Sequence, residues 1–246
     1  MTPGAWSWNW EALVPVALAG AYLVATRRER DIARTVAFLA GCALLVAALV
    51  TPLDTLARTY LVWAHLLQNV VLAEWAPLLL VVGVPPALAV RLTRPAAVRV
   101  LTNPFVALPL WGATYALWHV PALYDAALRR PETLLALEHL TYVLAGALFW
   151  WCVWQDVPHA LSSGARAGYV VAAFVLSAPL GLVLALVPRA IYGFYADAPE
   201  RVLGLSRLED QQLGGMTMAA EQSVVFFCVF AYWFLRFLAE QDALEA

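Results

Sequence analysis

The chain has 246 residues, 63% hydrophobic and 13% charged, with a mean hydropathy of +0.74 and a formal net charge of −2. Ordinary soluble domains carry about a quarter charged residues, so this composition belongs to a polytopic membrane protein and gives no footing for a nucleic-acid partner. All 15 basic residues are arginine, which excludes lysine Schiff-base chemistry and a P-loop lysine.

The segment MTPGAWSWNW has neither a basic region nor a small-residue cleavage site, so the first apolar run reads as a retained span. Trp6, Trp8 and Trp10 read as an interfacial anchor. Seven runs are long enough to cross a bilayer as helices, near 10–26, 32–51, 60–90, 104–121, 133–154, 168–188 and 215–238. The expectation is an all-α seven-helix bundle forming one integral membrane domain over 1–246. The third run is long, and Pro77, Gly83 and the Val84-Pro85-Pro86 stretch predict a kink or early end on its far side. FWWCVW at 149–154 reads as an interface belt, and the polar connection 189–214 as a place for a short interfacial helix. Cys42, Cys152 and Cys228 lie in apolar stretches without metal-ligand spacing and read as buried free thiols.

Arginine placement orients the bundle. Loops one (Arg27, Arg28, Arg30, Arg34) and three (Arg91, Arg94, Arg99), with Arg166 and Arg236, put nine arginines on one face. Arg58, Arg129, Arg130, Arg189, Arg201 and Arg207 put six on the other. The positive-inside rule then places the N-terminus outside and the C-terminus in the cytoplasm.

Three histidines share one depth on that map. His65 lies about a turn into span three, His119 in the last turn of span four, and His139 about two turns into span five. All fall in the outer third, while His159 falls on the opposite face. Ionisable groups at membrane depth face the protein interior, so the three imidazoles are candidates for one pocket. Gln68 and Asn69 follow His65 on the same helical face, either lining that pocket or bonding between helices. Met216 and Met218 open span seven at the same end. Imidazole with thioether suits copper, with sulfur favouring Cu(I). Asp125, Glu138, Glu209 and Asp210 surround this end as acceptors able to fix a histidine tautomer. Each residue also has an ordinary reading: core packing for Met218, an interfacial or packed histidine, and a helix-start cap for Asp210.

HLLQN after TYLVWA, then PLLLVVGVP, WHVPALYDAAL, EHLTYVLAGALFWW and EDQQLGG occur in this order. This pattern resembles the multi-spanning CtaG family of cytochrome c oxidase assembly factors associated with caa-type oxidases. The likeness runs from about residue 50 to 220. It implies a seven-span, non-enzymatic protein of the bacterial cytoplasmic membrane that partners cytochrome c oxidase subunits and handles copper on the outer side. The family pattern implies further histidines where this chain has Asn69 and Leu135. His119, Glu138, His139, Asp125 and Asp210 match it, and Met218 falls on a family methionine. The leading expectation is therefore copper held by His65, His119, His139 and Met218 and passed to the oxidase. A haem-binding electron-transfer protein and a metal-free assembly scaffold remain alternatives. A membrane hydrolase is weaker, because Glu138 and His139 lack the spacing of a zinc protease.

Overall fold

The computed structural model describes residues 2–28, 31–198 and 202–245. Arg30 and Arg201, counted above for sidedness, lie outside them. The described residues form helices and no strand. A 3-10 turn at Trp10–Ala12 leads into α1 (Leu13–Ala25). There follow α2 (Ile32–Val50), α3 (Pro52–Thr59) and α4 (Val62–Gly83). Two short helices, α5 (Pro86–Leu92) and α6 (Ala96–Leu101), connect to α7 (Pro104–Trp118) and α8 (Pro121–Leu128). The chain continues with α9 (Pro131–Trp154), α10 (Ser163–Leu186), a 3-10 turn at Phe194–Asp197 and α11 (Arg207–Glu245).

Five of these, α2, α4, α9, α10 and α11, are long and apolar enough to cross a membrane. The expected first and fourth spans are helices as well, but shorter: Trp10–Ala25 and Pro104–Trp118. Thr51-Pro52 ends α2 within a residue of the expected boundary, and α3 supplies a short polar helix that the hydropathy pattern hid inside a loop.

α4 ends early on its far side, as expected, and carries a further irregularity nearer its middle. The helix turns as a π segment at Val71–Trp75, regains α geometry at Ala76 and ends at Gly83, where Val84-Pro85 breaks it. Pro77 has no N–H for the Ala73 carbonyl and its ring crowds that carbonyl, so the wider turn relieves both problems. The freed Ala73 oxygen packs on α9 at Gly146, where a Cβ would lie 2.0 Å from it. Only glycine permits that approach. A second close approach joins α10 to α11, where a Cβ on Gly215 would stand 2.6 Å from the Gly181 carbonyl. Small residues at such contacts are how helices associate without a hydrophobic drive in lipid.

Specific contacts fix which ends meet. At one end, Ser7 N–H donates to the Val50 carbonyl, and at the other the Tyr22 hydroxyl donates to the Gly83 carbonyl. α11 runs parallel to α4: Gly214 abuts Trp63 and Leu66, while Gln222 reaches Glu74. α7 runs beside α9, with Trp118 donating to Thr141 and Cys152 to the Thr102 carbonyl.

Two sequence expectations need correction. Trp150 and Trp151 are buried, with Phe149 stacked on Trp111 at 4.8 Å, so FWWCVW fills the core rather than girdling it. α9 is the central helix, and its aromatic end packs against α7, α10 and α11. Cys42 and Cys152 are buried thiols, but Cys228 is exposed on the outer face of α11. Trp6, Trp8 and Trp10 are exposed, as an interfacial anchor requires.

Candidate functional site

The polar face of WAHLLQN points inward: His65 and Gln68 have no exposed surface and Asn69 has 2%. The start of α4 is held by Asp210 of α11, whose carboxylate accepts from the N–H groups of Val62 and Trp63, each at 2.9 Å. Helix starts leave such donors unpaired, and an anion there also meets the positive end of the helix dipole. Asp210 thus caps a neighbouring helix, not the start of span seven as its position in the chain implied. His65 follows in the same turn.

His65 Nε2 donates to Glu138 Oε1 of α9 at 3.1 Å, and Asn69 Nδ2 donates to the same oxygen at 3.0 Å. Asn69, standing where the family resemblance implies a histidine, is therefore a donor to the carboxylate that orients His65. His119 caps α7, and its Nδ1 donates to the Tyr115 carbonyl at 2.8 Å. The Tyr142 hydroxyl lies 3.4 Å from the same nitrogen. The Tyr192 hydroxyl donates to the His119 carbonyl at 3.4 Å. Tyr124 meets the His65 ring edge-on at 4.8 Å and stacks on Tyr192 at 3.8 Å. His65, Asn69, Glu138 and His119 thus form one aromatic-walled, buried group.

His139 belongs to a different network. Adjacent to Glu138 on α9, it is rotated by about 100° and faces α1, donating through Nδ1 to Glu11 Oε2 at 2.7 Å. Glu11 accepts from Arg58 at 3.0 Å, and Arg58 from α3 also reaches Asp54 at 3.0 Å. Asn9 and Gln68 donate to the two oxygens of Asp54, and Gln68 donates also to the Ala48 carbonyl. Gln68 therefore binds helices together rather than lining the His65 pocket.

The other expected residues divide similarly. Asp125 accepts from the N–H groups of Gly193 and Phe194 and fastens the 3-10 turn over the tyrosines. Met218 is 1% exposed and lies on α11 midway between Gly214, beside Trp63, and Gln222, beside Glu74. That is about a turn deeper than His65. Met216 is 53% exposed and faces outward. Glu209 accepts from the Ser206 N–H on the surface. Leu135 is fully buried in the core.

A shared property runs through the three histidines. Each has one ring nitrogen pinned to an acceptor, which fixes the proton there, and the other buried without a partner: His65 Nδ1, His119 Nε2 and His139 Nε2. Glu138 Oε2 and Asn69 Oδ1 are buried without a donor too. Buried polar atoms are overwhelmingly paired with protein, water or an ion. Backing an imidazole with a carboxylate or carbonyl is also how histidine ligands are oriented. Even so, among the described residues no three His, Cys, Asp or Glu side chains are already arranged to hold a metal ion.

Sequence reasoning missed Glu11, Asp54, Arg58, Tyr115 and Tyr142 as parts of these networks. Glu11 and Arg58 carried a legible signal, a carboxylate and a guanidinium flanking apolar runs at the same end as the histidines. Tyr115 and Tyr142 carried none, because buried tyrosines in apolar helices look like packing. The chain matches the model of the family described as cytochrome c oxidase caa3 assembly factor over residues 18–240. No curated protein and no solved structure matches it.

Proposed function

Because the chain belongs to the cytochrome c oxidase caa3 assembly factor family, we propose that it assists maturation of that oxidase by holding copper as cargo between His65 and His119 and passing it to an oxidase subunit docked alongside. The observation that carries this reading is the pair of buried, unpartnered ring nitrogens, His65 Nδ1 and His119 Nε2, each opposite a nitrogen pinned by an acceptor. Neutral imidazoles take up Cu(I) without adding buried negative charge. Met218, a turn deeper, offers a thioether for a cation moving inward. His139 stands on the Glu11 network and serves as an entry-side ligand in this scheme. Holding and transfer exchange metal–ligand bonds, those to the histidines breaking as those to the acceptor form, and break no bond within a substrate, so no catalytic residue is assigned.

Seven crossings of the bacterial cytoplasmic membrane, with the histidine end outside and the C-terminus inside, fit this role. Two features support that count. Ser7, ahead of α1, bonds to Val50 at one end of the bundle, and Tyr22, in the last turn of α1, bonds to Gly83 at the other, so the segment carries across despite the shortness of the helix. The parallel pairing of α4 with α11 requires an odd number of crossings between them, which α7, α9 and α10 supply. Arg34, Arg166 and Arg236 gather around one cavity at the opposite end from His65, as a cytoplasmic face would have them.

The test is Cu(I) titration of the purified protein against His65→Ala/His119→Ala. Retention by the wild type and its loss in the double variant are expected. Equal copper in both ends this reading. The absence, among the described residues, of a ready-made metal cluster favours a second one, a metal-free scaffold whose buried polar groups lock the helices. In that case copper supplementation fails to restore oxidase activity in cells lacking the protein. A visible absorption spectrum of fresh protein tests for haem, since a Soret band would displace both readings.

A further inference from the structure

Two carboxyl groups in the middle of the bundle take no part in the histidine networks. Glu74 sits in the π turn of α4 and has no exposed surface. Glu221 projects from α11 beside it, bordering a groove lined by Leu67, Trp75, Thr217 and Val224. Crossed hydrogen bonds set the two carboxyl groups side by side: Trp75, next to Glu74 in the chain, donates to Glu221, and Gln222, next to Glu221, donates to Glu74.

Their surroundings supply donors to one side only. The Tyr115 hydroxyl and Gln222 Nε2 both donate to Glu74 Oε1, the latter at 3.0 Å. Trp75 Nε1 donates to Glu221 Oε1 at 2.5 Å. Glu74 Oε2, Glu221 Oε2 and Gln222 Oε1 are buried with no donor. Among the described residues neither carboxyl group pairs with an arginine or a histidine. The titratable groups facing them are Tyr115 of α7 and, packed edge-on behind it at 5.5 Å, Tyr142 of α9. α4 and α11 add only the neutral Trp75 and Gln222.

Two carboxylates in contact, away from water and without a cation, cannot both stay ionised. Two acceptors can bond each other only through a proton. We propose that Glu74 and Glu221 form a proton-binding site inside the helix bundle, holding one proton between their two carboxyl groups. The π turn is what aims Glu74 and its neighbour Trp75 at Glu221 together, and such turns recur at functional positions in helices. The site also touches the histidine pocket through a single residue, because Tyr115 donates its hydroxyl to Glu74 while its carbonyl holds His119. The inference does not depend on copper.

Infrared difference spectroscopy on the full chain in lipid nanodiscs tests it, using the carbonyl stretch of protonated carboxyl groups at neutral pH. The comparison is wild type against Glu74→Gln, Glu221→Gln and the double variant. Glutamine reproduces the shape of the protonated acid and leaves its partner as a carboxylate. The expected result is that each single variant and the double lose the same amplitude, that of one carboxyl group. A double-variant loss that is the sum of two single losses means independent protonation and overturns the proposal. No loss in any variant means two ionised groups and overturns it equally. A wild-type spectrum without protonated carboxyl absorption at neutral pH does the same without relying on any variant to fold.

Discussion

Asp210→Ala removes the carboxylate that starts α4. Asp210 is fully buried and accepts two backbone N–H bonds at 2.9 Å from Val62 and Trp63. Truncation to alanine leaves both donors in an apolar interior with no acceptor. Each such orphan costs about 1–3 kcal/mol, so the loss is about 2–6 kcal/mol for the pair. The lower half of that range applies where relief of the buried charge offsets part of the cost. Asp210→Asn keeps one acceptor oxygen and costs roughly half as much, about 1–3 kcal/mol. Denaturant unfolding in mild detergent, followed by tryptophan fluorescence, gives both differences. The order wild type, Asn, Ala is expected. His65 sits in the turn that this cap anchors, so under the copper-holding proposal Cu(I) retention falls in the same order. If the alanine variant unfolds at the wild-type midpoint, Asp210 does not hold the start of α4 and the capping argument is wrong.

Gly146→Ala pushes a Cβ to within 2.0 Å of the Ala73 carbonyl. Backbone has to shift, and a loss of about 1–3 kcal/mol or more is expected by the same unfolding measurement. Glu138→Gln removes the charge that pins both His65 and Asn69. Loss of such an orienting partner weakens a metal site by about 10–100-fold, to be read as the Cu(I) dissociation constant against a competing chelator. Arg58→Ala leaves Glu11 and Asp54 without their shared cation. Breaking a mostly buried pair costs about 3–5 kcal/mol, and the damage should concentrate where α1 meets α9, seen as faster hydrogen exchange around Glu11 and His139.

Composition and hydropathy by themselves determined that this chain is a bundle of apolar helices. Burying so many nonpolar residues with so few charges has one economical solution in a bilayer, and backbone groups in lipid must bond within helices. Span order likewise put His65, His119 and His139 at one end, because depth along a helix follows from counting residues. Family motifs marked Asp125, Glu138 and Asp210, yet gave no sign that Asp125 fastens a turn or that Asp210 caps another helix. Rotation about each helix axis was decided only by tertiary packing. Neighbouring residues on α9 point about 100° apart, so Glu138 enters the His65 pocket while His139 turns to Glu11. The Glu74–Glu221 pair shows the same limit from the other side. The sequence reading singled out neither, although each is an ionisable group within an apolar span; their pairing joins positions 147 residues apart and depends on the π turn that Pro77 forces into α4. Periodicity records which residues avoid water; it carries no information on which partner a buried polar group meets, because that is fixed by close packing between helices far apart in the chain.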